Sequence, residues 1–404
     1  MQRPRGRCPA IINSMRPIAL AVACWMAAAA SAQDARLSAL HASLVALHSH
    51  ATKPETENLG GRPELTVTKH QLRDWIETQL ASLKDYGDEK ALAARINQLL
   101  KTVSVSGPAD DQNLLGSLGE VGITREEGLL IVTTAVGVLC QNDESAYGYK
   151  PVNGQWHRVW ESEQNDYAPE KYKPQHIIAV HVWPPFMMTL GNEWGCASTW
   201  HSVYYRVWRV DPSGSKLLID RTEGAWLGAR TLAEGSISQS PASREAPVDV
   251  LIEFTEESIG AGVREAVRHF LIDGDQVRRV DPVALSPRDF VDEWLTSGWK
   301  ESTTWSASPL LQQWHRRLHV DFVTGEFGSA TLHCQTPDLW QVTFTPSNPK
   351  KNFAAEPTVY FLIRWRPPYH FTMVDISDKP WPRCTEEDRE ADEGRTLFNI
   401  QERP

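Results

Sequence analysis

The chain has 404 residues, with 41 Lys and Arg against 51 Asp and Glu, for a formal charge of −10. That acidity, without a basic cluster in the body of the chain, argues against nucleic acid or an anionic membrane surface as a partner. The length allows one small and one larger domain, the larger with a sizeable core.

Residues 1–32 read as a secretory signal. Arg3, Arg5, Arg7 and Arg16 carry the positive charge, residues 18–30 are apolar, and Ala30-Ser31-Ala32 offers a small-residue cleavage site. Met15 is an alternative start. The apolar run is shorter than the roughly 20 residues a spanning helix needs, and no second long apolar run follows. The expectation is therefore a secreted or periplasmic protein without a transmembrane segment. Cys24 after Ala-Val-Ala would permit a lipoprotein anchor, but the apolar run continues past it to the better Ala-Ser-Ala site. Four arginines and no acid leave with the signal, which takes the charge from −10 to −14. Cys8 and Cys24 leave too, and Cys140, Cys196, Cys334 and Cys384 remain. An even count in an exported chain points to two disulfides. No cysteine pair has the short spacing of a zinc knuckle, so no metal site is expected.

Residues 33–105 are helical in pattern. Asp34 is placed to cap a helix with Leu37, Leu40, Leu44 and Leu47 on one face. After a break around Pro54, Gly60, Gly61 and Pro63, Thr68 with Gln71 forms a capping box before Leu72, Trp75, Ile76 and Leu80. Asp88 caps a third helix along Leu92, Ile96 and Leu99. Residues 106–122 read as a Ser/Gly/Asp linker.

From residue 123 to the end the periodicity is extended, and a strand–strand–strand module recurs four times. A first strand ends in threonine (129–133, 186–189, 250–255, 340–345). An aromatic strand follows (147–150, 203–209, 267–272, 359–365), and a third strand comes after a tight turn (156–161, 216–220, 277–281, 371–376). Turn signals fall at Asn153-Gly154, Asp211-Pro212-Ser213-Gly214 and Asp273-Gly274-Asp275. Candidate opening strands at 176–182 and 225–232 would make each module a four-stranded meander. A helical insert at 286–319 separates the third module from the fourth. Ser286-Pro287 and Ser308-Pro309 each place a cap before a first-turn proline. Units this small bury a sheet face only by stacking. The predicted fold class is mainly β with a small helical N-terminal region. Its four-stranded meanders resemble the blades of a β-propeller, with a β-sandwich of the same hairpins as the alternative.

Motifs that name a reaction are absent: no nucleophile elbow, no zinc-protease helix, no phosphate-cradling loop and no dinucleotide fingerprint. No cofactor is expected, and whether the chain is an enzyme stays open. His176 and His181 lie five apart on an expected strand, hence on opposite faces, which makes a poor metal pair. Trp156, Trp160, Trp208, Trp340 and Trp365 fall within strands and are read as core, while Trp194, Trp200 and Trp226 are read as loop tryptophans. Aligning the first two modules gives the one candidate face. Cys140 and Cys196 each lie seven residues after the module threonine, which predicts a Cys140–Cys196 bridge and leaves Cys334 with Cys384. Around them stand Asp143, Glu144, Tyr147, Glu193, Trp194, Trp200 and His201. Acids that accept hydroxyl hydrogen bonds beside indoles that stack suit a carbohydrate or peptide ligand. The resulting expectation is an exported ligand-binding or scaffolding protein of the cell envelope or exterior. Two alternatives stand beside it. One is a glycosidase-like hydrolase using loop carboxylates, with Asp143, Glu144, Glu193 and the pair Glu256–Glu257 nominated. The other is a structural or inhibitory module whose partner is a protein.

Overall fold

Among the described residues the extended segments form four separate antiparallel sheets. The computed structural model describes residues 35–50, 62–81, 88–105, 115–138, 141–164, 174–193, 200–211, 214–226, 233–239, 247–257, 263–321, 331–344 and 358–387. The expected signal segment, Cys140, Trp194 and Cys196 lie outside them.

The chain divides into two units, Met1–Pro174 and Gln175–Pro404. In the first, helices α1 (residues 35–49), α2 (Arg62–Leu80) and α3 (Glu89–Leu100) accompany one meander. Its strands are β1 (Gly122–Glu126), β2 (Leu129–Val138), β3 (Gln141–Val152) and β4 (Gln155–Ser162), paired in that order. The leucine stripe of α1 packs with Trp75 and Ile76 of α2, Ile96 of α3 and Val132, Val136 and Tyr149 of the sheet in one core. Asp88 caps α3 by accepting from the Ala91 amide at 3.1 Å. Helix α2 begins at Arg62, so Thr68 and Gln71 lie inside it and form no capping box. The sequence from Pro63 onward holds no residue that would delay the helix.

The second unit carries two meanders. One is β5 (Gln175–Trp183), β6 (Phe186–Glu193), β7 (Trp200–Asp211) and β8 (Gly214–Trp226); the other is β9 (Glu234–Gln239), β10 (Val248–Glu257), β11 (Val263–Asp273) and β12 (Gln276–Arg279). They share a core of Met188, Leu190, Val203 and Val207 against Val250, Ile252, Phe254 and Ala266. The last sheet has β13 (Thr331–Cys334), β14 (Leu339–Phe344), β15 (Val359–Arg366) and β16 (His370–Ser377), with β17 (Cys384–Glu387) beside β13. A disulfide joins Cys334 to Cys384 across the β13–β17 pair. Between the third and fourth sheets lie α4 (Pro287–Thr296), the single turn α5 (Trp299–Ser302), a 3-10 turn (Thr303–Trp305) and α6 (Leu311–Asp321). Phe290 and Trp294 of α4 pack with Val267, Phe361 and Phe371 in a common core. Ser286 caps α4 through the Asp289 amide at 3.1 Å, with Pro287 in the first turn as its sequence demands.

The fold is thus mainly β, a succession of four-stranded meanders like those of propeller blades, and among the described residues no sheet closes on itself. Several boundaries differ from the sequence expectation. β2 and β6 run past their module threonines to Val138 and Glu193. The opening strand of the third sheet is β9 rather than residues 225–232, because β8 continues to Trp226 as the ladder partner of Trp200. Helix α6 starts at Leu311, after a turn at Pro309 and Leu310 in which the Ser308 hydroxyl accepts from the Leu310 amide at 3.2 Å.

Candidate functional site

The residues nominated from sequence divide between the units. In the first, Asp143 and Glu144 lie on β3 rather than in a loop, because β2 and β3 pair as far as Val138 and Gln141. Asp143 is 1% exposed and sits 3.3 Å from the ammonium of Lys69 on α2. Tyr147, also buried, donates to Glu163 at 2.6 Å, and Glu163 in turn meets His70 at 3.1 Å. Burial, reinforced by the negative Glu163, holds the Tyr147 phenol well above its ordinary range. Lys69, Asp143, Tyr147 and Glu163 are thus interior groups of the first unit that tie α2 to the sheet, with the more exposed His70 at their margin. In the second unit, Trp200 opens β7 opposite Trp226, so both are strand residues. His201 follows it, buried, its imidazole held below its ordinary value by desolvation. Glu193 ends β6 and accepts from Thr222 on β8 at 3.2 Å. His176 and His181 both belong to β5, whose register shifts between Ile177 and Ala179.

Thr222 leads to a cavity not expected from the sequence. It has a volume of about 510 Å³ and opens where β8, β11, β12, α4 and the turn after α4 meet. Its wall is built from charges. Arg264 and Arg268 stand four apart on β11, on one face of the strand. Register places Glu256 of β10 opposite Arg264, and the two form an ion pair. Helix α4 supplies Glu293, whose Oε2 accepts from both Arg264 and Arg268 at 3.0 Å and whose Oε1 meets Arg279 of β12 at 2.5 Å. From β8 comes Glu223, which accepts hydrogen bonds from the Arg268 Nε at 2.7 Å and from the Tyr205 hydroxyl.

Backbone geometry explains why arginines gather here. β12 pairs with Phe270–Asp273, the last four residues of β11, and the Val280 amide adds a bond to the His269 carbonyl, so among the described residues the Val263–Arg268 edge has no strand beside it. The carbonyl of Val267 on that edge accepts instead from Arg268 at 3.1 Å and from Arg279 at 3.0 Å. A planar guanidinium serves a carbonyl and two carboxylates at once, which an ammonium does less well. Arg268 also lies over the Phe254 ring at 5.2 Å, and Arg279 over Trp305 at 5.2 Å, so both forks are fixed from below.

The electrostatics separate the acids. Burial pushes the Glu293 carboxyl up, but Arg268, Arg279 and Arg264 outweigh it and hold Glu293 well below the carboxylate range. Glu223 is likewise lowered, burial being overcome by Arg268 and by the Tyr205 hydrogen bond. At Glu256 burial prevails over Arg264 and Arg268, and its value is raised. Asp289, at the first turn of α4, is pushed up by burial to about 7. Around this fixed interior the cavity presents the hydroxyls of Thr222, Thr296 and Ser297, the backbone at Gly298 and the half-exposed carboxylate of Glu301. Among the described residues no group of three His, Cys, Asp or Glu side chains could hold a metal ion, and no helix is long and apolar enough to cross a membrane.

Of the acids nominated from sequence, Glu256 lines this cavity and Glu193 stands behind it through Thr222. Tyr205, Glu223, Arg264, Arg268, Arg279 and Glu293 were missed. The readable signal was two arginines four apart on an aromatic strand, with an unusually acidic face on an otherwise apolar helix (Asp289, Asp292 and Glu293 beside Phe290, Trp294 and Leu295).

No protein-family profile matches the chain, and no curated protein matches it. Solved structures similar to it include one described as a BT0996 RGII complex, at 9% identity over 67% of this chain and 75% of that one, with a TM-score of 0.23. Another is described as a glycoside hydrolase, at 10% identity over 72% of this chain and 96% of that one, with a TM-score of 0.21. A third is Bacteroides ovatus Xyloglucan PUL GH43B, at 10% identity over 68% of this chain and 48% of that one, with a TM-score of 0.20. Likeness at this level assigns neither family nor activity.

Proposed function

We infer that the chain is an exported ligand-binding β-repeat protein, and that its ligand is a carbohydrate held in the charged cavity of the second unit. The observation that carries this reading is the make-up of the cavity wall. Its volume falls within the roughly 300–1,000 Å³ of small-ligand sites, yet its donors and acceptors far outnumber its apolar groups. Hydroxyls, carboxylates and guanidinium edges in one wall match a ligand most of whose carbons bear hydroxyls, which both donate and accept. The ion pairs hold these groups in place before the ligand arrives, which reduces the ordering cost of binding.

The test is an array of neutral and acidic oligosaccharides probed with the mature chain, alongside its Glu301→Gln variant. Glu301 stands at the rim with its side chain 46% exposed, so its replacement should weaken glycan retention while leaving the melting temperature nearly unchanged. An array on which the wild-type chain retains no glycan refutes the reading. Export is checked on the same material by mass spectrometry: the N-terminus should be Gln33 or a near neighbour.

A hydrolytic version of this reading has one observation in its favour. Glu256 is held above and Glu223 below the ordinary carboxylate value within one cavity, the separation an acid and its ionised partner require. New reducing ends released from a bound oligosaccharide, and abolished by Glu256→Gln, would establish it.

A further inference from the structure

Next to the charged cavity lies a second one of about 790 Å³, and the two share Arg221, Phe270, Arg279, Gly298 and Glu301. Its cations differ from those in the interior. Arg221 on β8, Arg278 on β12 and Lys300 on α5 all line it, all three are exposed, and none has a carboxylate partner among the described residues. Other surface cations of the same sheets are matched. Arg206 holds Asp220 at 3.0 Å, while Arg209 and Lys216 both hold Asp275, the latter at 2.5 Å. The acids that line the second cavity do not neutralise its cations. Asp220 is engaged by Arg206, and Glu301 lies 3.8 Å from Arg279, a guanidinium already bound to Glu293. In a chain with a net charge of −10, three cations from three different elements are left unmatched around one hollow. Its floor is the buried indole of Trp305, against which Arg279 is stacked.

We propose that this second cavity extends the binding site and selects an acidic saccharide, one whose sugar rings carry carboxylate or sulfate groups. The inference rests on the carbohydrate reading above and names the charge of the ligand. The two guanidinium forks of Arg221 and Arg278 present paired N–H donors that match a planar carboxylate or the edge of a sulfate, and Lys300 adds a mobile point charge. The neighbouring cavity receives the hydroxyls of an adjoining sugar. An extended polyanion such as nucleic acid is disfavoured, because the remaining surface is net acidic and would repel a backbone charged at every unit.

Titration calorimetry on the full mature chain tests the proposal with three probes of equal length: a hexuronate tetramer, a sulfated oligosaccharide and a neutral oligosaccharide. At least one acidic probe should bind about tenfold or more tighter than the neutral one, since a charge-assisted contact contributes at least about a factor of ten. Its affinity should also fall as salt is raised. The ratio of the uronate to the sulfated arm identifies the source of the negative charge. The double variant Arg221→Gln, Arg278→Gln should bring the acidic probe down to the level of the neutral one at an unchanged melting temperature, and Lys300→Gln should do so in part. Equal binding of neutral and acidic probes would overturn the proposal and leave the carbohydrate reading standing. Acid selectivity that survives in the double variant would overturn it equally, by placing the anion site elsewhere. Failure of all three probes, together with an empty glycan array, would sink the underlying reading itself.

Discussion

Glu293→Gln tests the interior of the site. The carboxylate of Glu293 is 1% exposed and accepts from Arg264, Arg268 and Arg279. Substitution by the amide keeps the shape and removes the charge. Three guanidinium groups then share Glu223, Glu256 and Asp292, and the amide NH2 is forced toward one of them. Removing one partner from a buried ion pair costs about 3–5 kcal/mol. The unit containing it, Gln175–Pro404, spans 230 residues. For a unit of that size each kcal/mol lowers the melting temperature by about 2–4 °C, which predicts a fall of roughly 6–20 °C by scanning calorimetry at pH 7. Glu301→Gln is the internal reference: an exposed pair contributes about 0–1 kcal/mol. Adding Arg279→Gln to Glu293→Gln should recover part of the loss, since charges in one network couple by about 0.5–3 kcal/mol. If Glu293→Gln melts within the range of Glu301→Gln, the three-arginine network does not hold the unit together and the account of the cavity wall fails.

Two further outcomes follow from the buried acids. Asp289 is raised from 3.8 to about 7, chiefly by burial; the stability it contributes is complete below the unfolded value and is lost as pH rises through about 7. Urea unfolding of the wild type should therefore weaken by roughly 2–4 kcal/mol between pH 4 and pH 8 from this group, and Asp289→Asn should flatten that slope; an unchanged slope would show that Asp289 is ionised throughout. Glu293 acts in the opposite window, its contribution being present above the unfolded carboxylate value and lost only as pH falls below the usual carboxylate range. In the first unit, Asp143→Asn removes the buried carboxylate 3.3 Å from the Lys69 ammonium and should cost about 3–5 kcal/mol; a variant that melts like wild type but binds ligand less well would return Asp143 to the surface role its sequence context suggested.

What could be read along the chain was what neighbours decide. Asn153 and Gly154 both have positive φ in the β3–β4 turn, as does Gly274 in the β11–β12 turn, so these hairpins were legible as dipeptides. Ser286-Pro287 was legible for the same local reason. Distant residues decide the rest. Gln141-Asn142-Asp143-Glu144-Ser145 has the composition of a loop, yet it is strand, because Lys69, 74 residues away, neutralises Asp143 inside the first unit. The charged cavity is decided in the same way: Glu223, Arg268 and Glu293 lie on two strands and a helix far apart in sequence, and only the packing of α4 beside the β11 edge brings them together. Propensity sees each arginine as a surface residue, and tertiary pairing makes it an interior one.

The edge of β11 that has no strand beside it among the described residues has a consequence beyond the cavity. A strand with unpaired carbonyls and amides along one side is a template on which a second chain can add a strand. Here the Val267 carbonyl is already taken by two guanidinium groups, and the acidic helix that holds those groups lies across the same edge. A protein made of repeated meanders carries many such edges, and each is an invitation to join a neighbour's sheet. At this one, α4, in the insert between the third and fourth sheets, engages Arg264 and Arg268 of that strand through the Asp289 carbonyl and the Glu293 carboxylate. The same arginines that shape the cavity thereby occupy a carbonyl that an added strand would need.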